Sequence, residues 1–218
     1  LNLSVVIASC LNKPEREEYL HKSIESIRKY FGNDIEILIG FDKYGKEIEN
    51  TKCYIHDKGI GHSWNWGIKE SKNEIILQTE DDWIIKEDIN NDESFIKSII
   101  NRSKIVKMEQ CIYELFYGKW RESLGYKKKE IDGYKFYEAI RPDKYPIDPW
   151  TNRNIYFYTN HPQIKLKKTH EEIGWYKENC SPPEVEVDMC EKYFYSKKSL
   201  FFSKENIFFH IGKEKSRL

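Results

Sequence analysis

Along the first 90 residues the spacing of hydrophobic positions changes from one segment to the next. Leu3-Ser-Val-Val-Ile-Ala8 is a nearly continuous β-branched run, the pattern of a strand covered on both faces. Asn12-Lys13-Pro14 follows, where proline suits a first helical turn, and Leu20, Ile24, Ile27 and Phe31 then recur at helical spacing with charges between them. Gly32-Asn33 ends this helix. The same reading predicts strands over 35–39, 52–55 and 74–78 and a helix over 63–69. Such alternation implies βαβ units, hence an α/β fold with a mainly parallel central sheet and helices on both faces.

The second half is less regular. A short helix is expected from Asp92, capped by Asn91 or Asp92 and carrying Phe95, Ile96, Ile99 and Ile100. Residues 104–117 have strand character, whereas 118–153 mix Gly, Pro, the run Lys127-Lys128-Lys129 and many aromatics without a period, which predicts a long irregular insertion. The lysine run reads most simply as a solvated loop. Further expectations are a strand over Ile155 to Tyr158, a helix over Glu184 to Lys197 introduced by Ser181-Pro182-Pro183, and closing strands over Leu200 to Phe202 and Ile207 to His210. With no internal repeat, linker or low-complexity stretch, residues 1–218 are expected to form a single domain.

Composition narrows the function classes. Lys plus Arg and Asp plus Glu are both 36, so no net field favours nucleic acid or anionic lipid. No apolar run exceeds Val5 to Ala8, far short of the ~20 residues of a membrane span, and the opening residues lack a leader pattern. Five scattered cysteines without a CxxC pair suit reduced thiols in a cytoplasmic compartment better than a disulfide scaffold or zinc ribbon.

Candidate chemistry lies at the ends of the predicted strands. Glu80-Asp81-Asp82-Trp83 directly follows the strand ending near Thr79, the place where open α/β sheets bind ligands. Three adjacent carboxylates repel, and either a hard divalent cation such as Mn²⁺ or Mg²⁺ or plain solvation answers that repulsion. Asp42 ends the second strand, and Gly59-Ile-Gly61 precedes a helix, where backbone N–H groups suit a pyrophosphate and a simple turn is the alternative.

The order of these motifs resembles that of the GT-A fold glycosyltransferases, especially the family-2-like group. The resemblance covers about the first 85 residues. It rests on Val5-Val-Ile-Ala-Ser-Cys-Leu-Asn-Lys-Pro14-Glu, on Asp42, on Gly61-His-Ser-Trp-Asn-Trp-Gly67 with Asn65 and Gly67 in register, and on Glu80-Asp81-Asp82 in place of a DxD motif. One departure is Trp64, which stands where a basic residue often precedes the Asn, so neutralising the pyrophosphate falls to metal, backbone or a lysine such as Lys58. The resemblance implies a nucleotide-diphospho-sugar donor, UDP-sugar first. It places Ala8 and Asp42 at the base, Lys58, Gly59 and Asn65 along the donor, Asp81 at the ribose or metal shell, and Asp82 on Mn²⁺ or Mg²⁺. Glu80 would stand behind the ligands and Trp83 would anchor the packing. Residues 1–90 then become a nucleotide-binding half and 91–218 an acceptor-binding half, with a glycan or other hydroxyl compound as acceptor.

In that second half, Gly174-Trp-Tyr176 followed by Pro183-Glu-Val-Glu-Val-Asp188-Met resembles the family's late segment and puts Glu186 at the catalytic base. Asp188 is a second catalytic candidate, with Glu184 and Glu172 as alternatives, and helix capping explains such acids nearly as well. His210 resembles a late metal-ligating histidine, and an ordinary end-of-strand histidine is the alternative. Trp150, Tyr156, Tyr158, Trp175 and Tyr176 are candidates for a sugar platform or for ordinary core. Asn160-His161-Pro162 is a candidate acceptor-facing corner. A sugar-phosphate nucleotidyltransferase is disfavoured because Ser9-Cys-Leu-Asn-Lys13 has no glycine. A non-catalytic carbohydrate-binding protein leaves the strand-end acids without a purpose.

Overall fold

The structure, a computed structural model, describes residues 2–86, 111–114, 126–131, 134–141, 143–144, 158, 160–202 and 207–212. In chain order the elements are β1 (Leu3–Ser9), α1 (Pro14–Phe31), β2 (Glu36–Asp42), β3 (Lys52–His56), α2 (Ile60–Glu70), β4 (Ile75–Glu80) and β5 (Trp83–Ile85). They continue with β6 (Cys111–Glu114), β7 (Tyr126–Ile131), β8 (Tyr134–Ala139), β9 (Gln163–Leu166), α3 (Lys168–Ile173), α4 (Pro182–Tyr195), β10 (Ser199–Phe202) and β11 (Phe208–His210).

Among the described residues, nine strands form one sheet in the order β3-β2-β1-β4-β9-β6-β10-β8-β7. The first four are parallel, as the βαβ rhythm requires. β9 enters antiparallel to β4, β10 runs parallel to β6, and β7 and β8 close the sheet as an antiparallel pair. A separate ribbon pairs β5 with β11.

The unbroken apolar run of β1 serves two core layers. Val5 and Ile7, with Ile37, Ile39, Ile75 and Leu77, face the stripe Leu20, Ile24, Ile27 and Phe31 of α1. Val6 and Ala8, with Leu38 and Ile76, face Trp64 and Ile68 of α2 and Val185, Met189 and Tyr193 of α4. Burying each large aliphatic side chain this way contributes roughly 1.5–3 kcal/mol. α1 starts on Pro14 and stops at Gly32 with φ of 96°. At the start of α4, Ser181 N and Oγ donate to Glu184 Oε2 at 2.8 and 2.7 Å, a capping box that occupies Glu184.

Residues 118–153 are not wholly irregular, because 126–139 contain the β7–β8 pair, in register from Tyr126↔Ala139 to Ile131↔Tyr134. β7 is an edge strand, where lysines discourage further pairing, so no hydrophobic period marks it. β5, β9 and α3 were not anticipated either. β9 reads Gln-Ile-Lys-Leu yet is buried along its whole length, with Gln163 and Lys165 both at 0% exposure. The helix expected from Asp92 and residues 155–157 lie outside the described residues, as do Trp150 and Tyr156.

A buried polar network explains how β9 tolerates its lysine. Lys165 Nζ donates to Gln78 Oε1 at 2.6 Å, Tyr176 Oη at 2.7 Å and Gln163 Oε1 at 3.2 Å, while Tyr158 and Tyr176 share a 2.5 Å hydroxyl contact. Burial pushes the Lys165 amine well below the ordinary lysine range. The unfolded chain therefore binds more protons at this group than the fold, and its contribution to stability grows as pH rises toward the ordinary lysine value. Urea unfolding between about pH 7 and 10 should show a positive slope that Lys165→Met removes. Equal slopes in the two proteins would place the charged amine comfortably inside the fold.

Candidate active site

A cleft of about 450 Å³ opens beyond the carboxyl ends of β1, β2 and β4, between the first turn of α1, the start of α2 and the β11 segment. Ala8, Asp42, Gly59, Glu80, Asp82 and His210 all contribute to its wall.

The acidic cluster sits at the turn from β4 into β5. Asp81 and Asp82 are 0% and 2% exposed, so both carboxylates need partners. Arg16 supplies a shared one: its Nη2 meets Asp81 Oδ1, and its Nη1 lies 3.0 Å from Asp82 Oδ2. Ser9 Oγ donates to Asp81 Oδ2 at 2.6 Å, and His210 Nε2 lies 3.2 Å from Asp82 Oδ2. The β5–β11 ribbon delivers that histidine, because Trp83 pairs with His210 and Ile211 N donates to the Asp82 carbonyl at 2.8 Å. Gly212 completes the approach, since a Cβ there would lie 2.6 Å from Asp82 Oδ2.

Electrostatics sort the three acids. Burial raises Asp81 to about 7, opposed by Arg16. Burial also opposes ionisation of Asp82, but the hydrogen bond and charge of His210, with Arg16, hold it below the ordinary carboxylate range. Glu80 is raised well above that range by burial and by Asp82 and Asp81, with Glu186 adding to the effect. The cluster thus combines one firmly ionised carboxylate with two that hold protons more readily.

Asp42 Oδ1 accepts from Gly59 N at 3.1 Å, joining the end of β2 to the start of α2. The two glycines there make room for the protein's own backbone. A Cβ on Gly59 would lie 3.1 Å from the Cys180 carbonyl, and one on Gly61 only 2.0 Å from that of Lys177. Asn65 is committed to the same crossing. Its Nδ2 donates to the Tyr176 carbonyl at 2.9 Å and Glu178 Oε1 at 2.7 Å, and its Oδ1 accepts from Tyr176 N at 2.9 Å. Asn65 and Lys58 are not on the cleft wall, nor are Asp81 and Glu186, which stand behind Asp82 and Glu80, and the Lys58 side chain is exposed. Tyr158 and Tyr176 belong to the buried network rather than to a sugar platform.

On α4, Glu186 Oε1 accepts from Asn160 N at 3.1 Å and lies near enough to Glu80 to influence its ionisation. Asp188 turns to Lys192, 2.6 Å away, whose amine also reaches the Trp175 carbonyl. Glu172 pairs with Lys198.

The residue that sequence reading missed is Arg16. It stands four positions before Leu20, in line with the buried stripe of α1, and a charge on a core-facing stripe was the available signal.

No protein-family model matches the chain, and no curated protein matches it in sequence. Solved structures do match in fold. A crystal structure of S. aureus TarS residues 1–349 superposes with a TM-score of 0.58 at 13% identity, covering 98% of this chain and 61% of that one. TarS itself gives 0.55 at 13% identity over 96% and 36%, and the TarS 1–349 complex with UDP-GlcNAc gives 0.53 at 13% over 95% and 60%. The likeness is one of fold, consistent with a GT-A-like arrangement of a mostly parallel sheet and flanking helices. The chain spans about three fifths of the length of the TarS 1–349 structures.

The donor set suits a divalent cation in part. Asp82 Oδ1 is buried with no hydrogen-bond partner, and carboxylate with imidazole is a suitable pair for Mn²⁺. Among the described residues, however, no three His, Cys, Asp or Glu side chains converge to hold an ion unaided. Remaining coordination positions would fall to a bound ligand or water.

Asn65→Ala should cost about 1–3 kcal/mol of stability in urea unfolding, because it leaves the Tyr176 backbone groups unpaired. Unchanged stability with impaired nucleotide binding would return Asn65 to the donor site.

Proposed function

We propose that this chain is a GT-A glycosyltransferase, which moves a hexosyl group from a nucleotide-diphospho-sugar to an acceptor hydroxyl with inversion at the anomeric carbon. The observation that carries the reading is the grouping of Ala8, Asp42, Gly59, Asp82 and His210 on one cleft at the carboxyl ends of parallel strands. UDP is the favoured nucleotide because TarS, a glycosyltransferase of like fold, has been crystallised with UDP-GlcNAc and with UDP.

In this reading residues 1–90 form the donor half and 91–218 the acceptor half. The base lies against Ala8 and Asp42, with Asp42 fixed by its bond to Gly59 N. Asp82 and His210 hold Mn²⁺ or Mg²⁺, and Asp81, braced by Ser9, orients the ribose or the metal shell. The metal, when bound, supplies Lewis-acid neutralisation of the charge on the departing diphosphate.

Glu186 is the base. It takes the acceptor hydroxyl proton while that oxygen attacks the anomeric carbon opposite the diphosphate, and the glycosidic electron pair leaves with the nucleotide. Asn160 N orients its carboxylate. Asp188 ranks second because its pair with Lys192 already engages it.

Thermal denaturation with UDP-, GDP-, dTDP- and CMP-sugars, each with and without Mn²⁺, tests the donor class. A UDP-sugar at 100 times its dissociation constant should add about 2.7 kcal/mol of stability with Mn²⁺ present. A panel with no stabilising nucleotide would overturn the proposal. Glu186→Gln should lower UDP release about 10²–10⁴-fold while the dissociation constant for the donor holds. Normal turnover in that variant would move the base to Asp188, and a retained anomeric configuration by NMR would remove the inverting step.

A further inference from the structure

We propose that Arg16 is a resident cation of the acid pair, exchanged for the divalent metal when the nucleotide arrives, so that metal binding is coupled to donor binding. This rests on the reading of the cleft as a metal-assisted diphosphate site. Arg16 takes one oxygen of Asp81 and one of Asp82, and His210 Nε2 is spent on the same Asp82 Oδ2, so both groups assigned to the metal are already in use. The other Asp82 oxygen is buried and unpartnered. An ion bound to it would share a carboxylate with the guanidinium, and two cations on one carboxylate repel at close range.

Arg16 cannot relieve that repulsion by losing a proton. A guanidinium stays charged throughout the working range of pH, and this one sits against two carboxylates. Relief must come from movement. Arg16 has the freedom to move, being 27% exposed in its side chain and part of the cleft wall. The helix dipole favours that movement, because Arg16 stands in the first turn of α1, where the dipole disfavours a cation. Swung into the cleft, the guanidinium meets Glu80 or the phosphate oxygens of the donor, for which its fork of donors is well shaped. The exchange keeps the buried carboxylates neutralised in both states, and it accounts for a cluster that without donor lacks a third metal ligand.

The test is isothermal titration of Mn²⁺ into the wild type and Arg16→Gln, each with and without saturating UDP, supported by the manganese EPR signal. The wild type should bind Mn²⁺ weakly alone and tightly with UDP. Arg16→Gln should bind Mn²⁺ alone at least about fivefold more tightly, within the usual range of coupling between sites, and lose the corresponding part of the UDP effect. Should Arg16→Gln fail to fold, Arg16→Lys, which reaches only one carboxylate, should shift UDP-free affinity in the same direction. Wild-type binding of UDP and Mn²⁺ together, with UDP-free affinity unchanged or weakened in the folded variant, overturns the exchange and leaves the glycosyltransferase reading standing. Failure of the wild type to bind Mn²⁺ even with UDP overturns both.

Discussion

Two aspartates are buried side by side at the end of β4, and much of the site is arranged around making that tolerable. Removing a carboxylate from water costs several kcal/mol even after relaxation, and a second one beside it adds repulsion. The structure meets the demand from four directions: Arg16 from α1, Ser9 from β1, His210 from β11, and protonation, favoured at Asp81 and Glu80. Each contribution fixes a piece of the chain. α1 must begin where Arg16 reaches the pair, and β11 must pair with β5 to bring His210 across, with glycine at position 212.

The opposite wall of the cleft depends on steric constraint rather than charge. The segment from Tyr176 to Cys180 crosses the first turn of α2 so closely that Gly61 leaves no space for a side chain, while Gly59 is held to glycine by its φ of 81° and a tight approach of the Cys180 carbonyl. Asn65 fastens the crossing with three hydrogen bonds. The crossing ties the first half of the chain to the second and leads directly into the capping box at Ser181 that starts α4, so Glu186 is positioned by residues far from it in sequence.

What the sequence revealed follows from where local pattern and tertiary demand agree. α1 is legible because its burial repeats at the helical period, β1, β2 and β4 because strands covered on both faces read as short continuous apolar runs, and the strand-end acids because they end such a run. β9 escaped because its buried Lys165 is satisfied by Gln78 and Tyr176, which lie outside the strand, and its buried Gln163 by the Tyr158 hydroxyl, so two polar positions that read as exposed are in fact core. β7 escaped because an edge strand of lysines has no period. Gly59-x-Gly61 is legible as a glycine turn at the cleft, but the second backbone pressed against it is not, since composition shows that glycine is needed but not what approaches it. Arg16 was legible in principle as a charge on an apolar stripe, yet its partners lie 65 and 66 residues away.

The central claim is that this acid pair and the cleft in front of it form a cation-assisted site for a nucleoside diphosphate. Crystals grown with UDP and Mn²⁺ and measured near the manganese absorption edge test it most directly. The account predicts an anomalous peak beside Asp82 and His210, with the uracil against Asp42. UDP bound elsewhere, or bound in the cleft with manganese absent from Asp82, would contradict it.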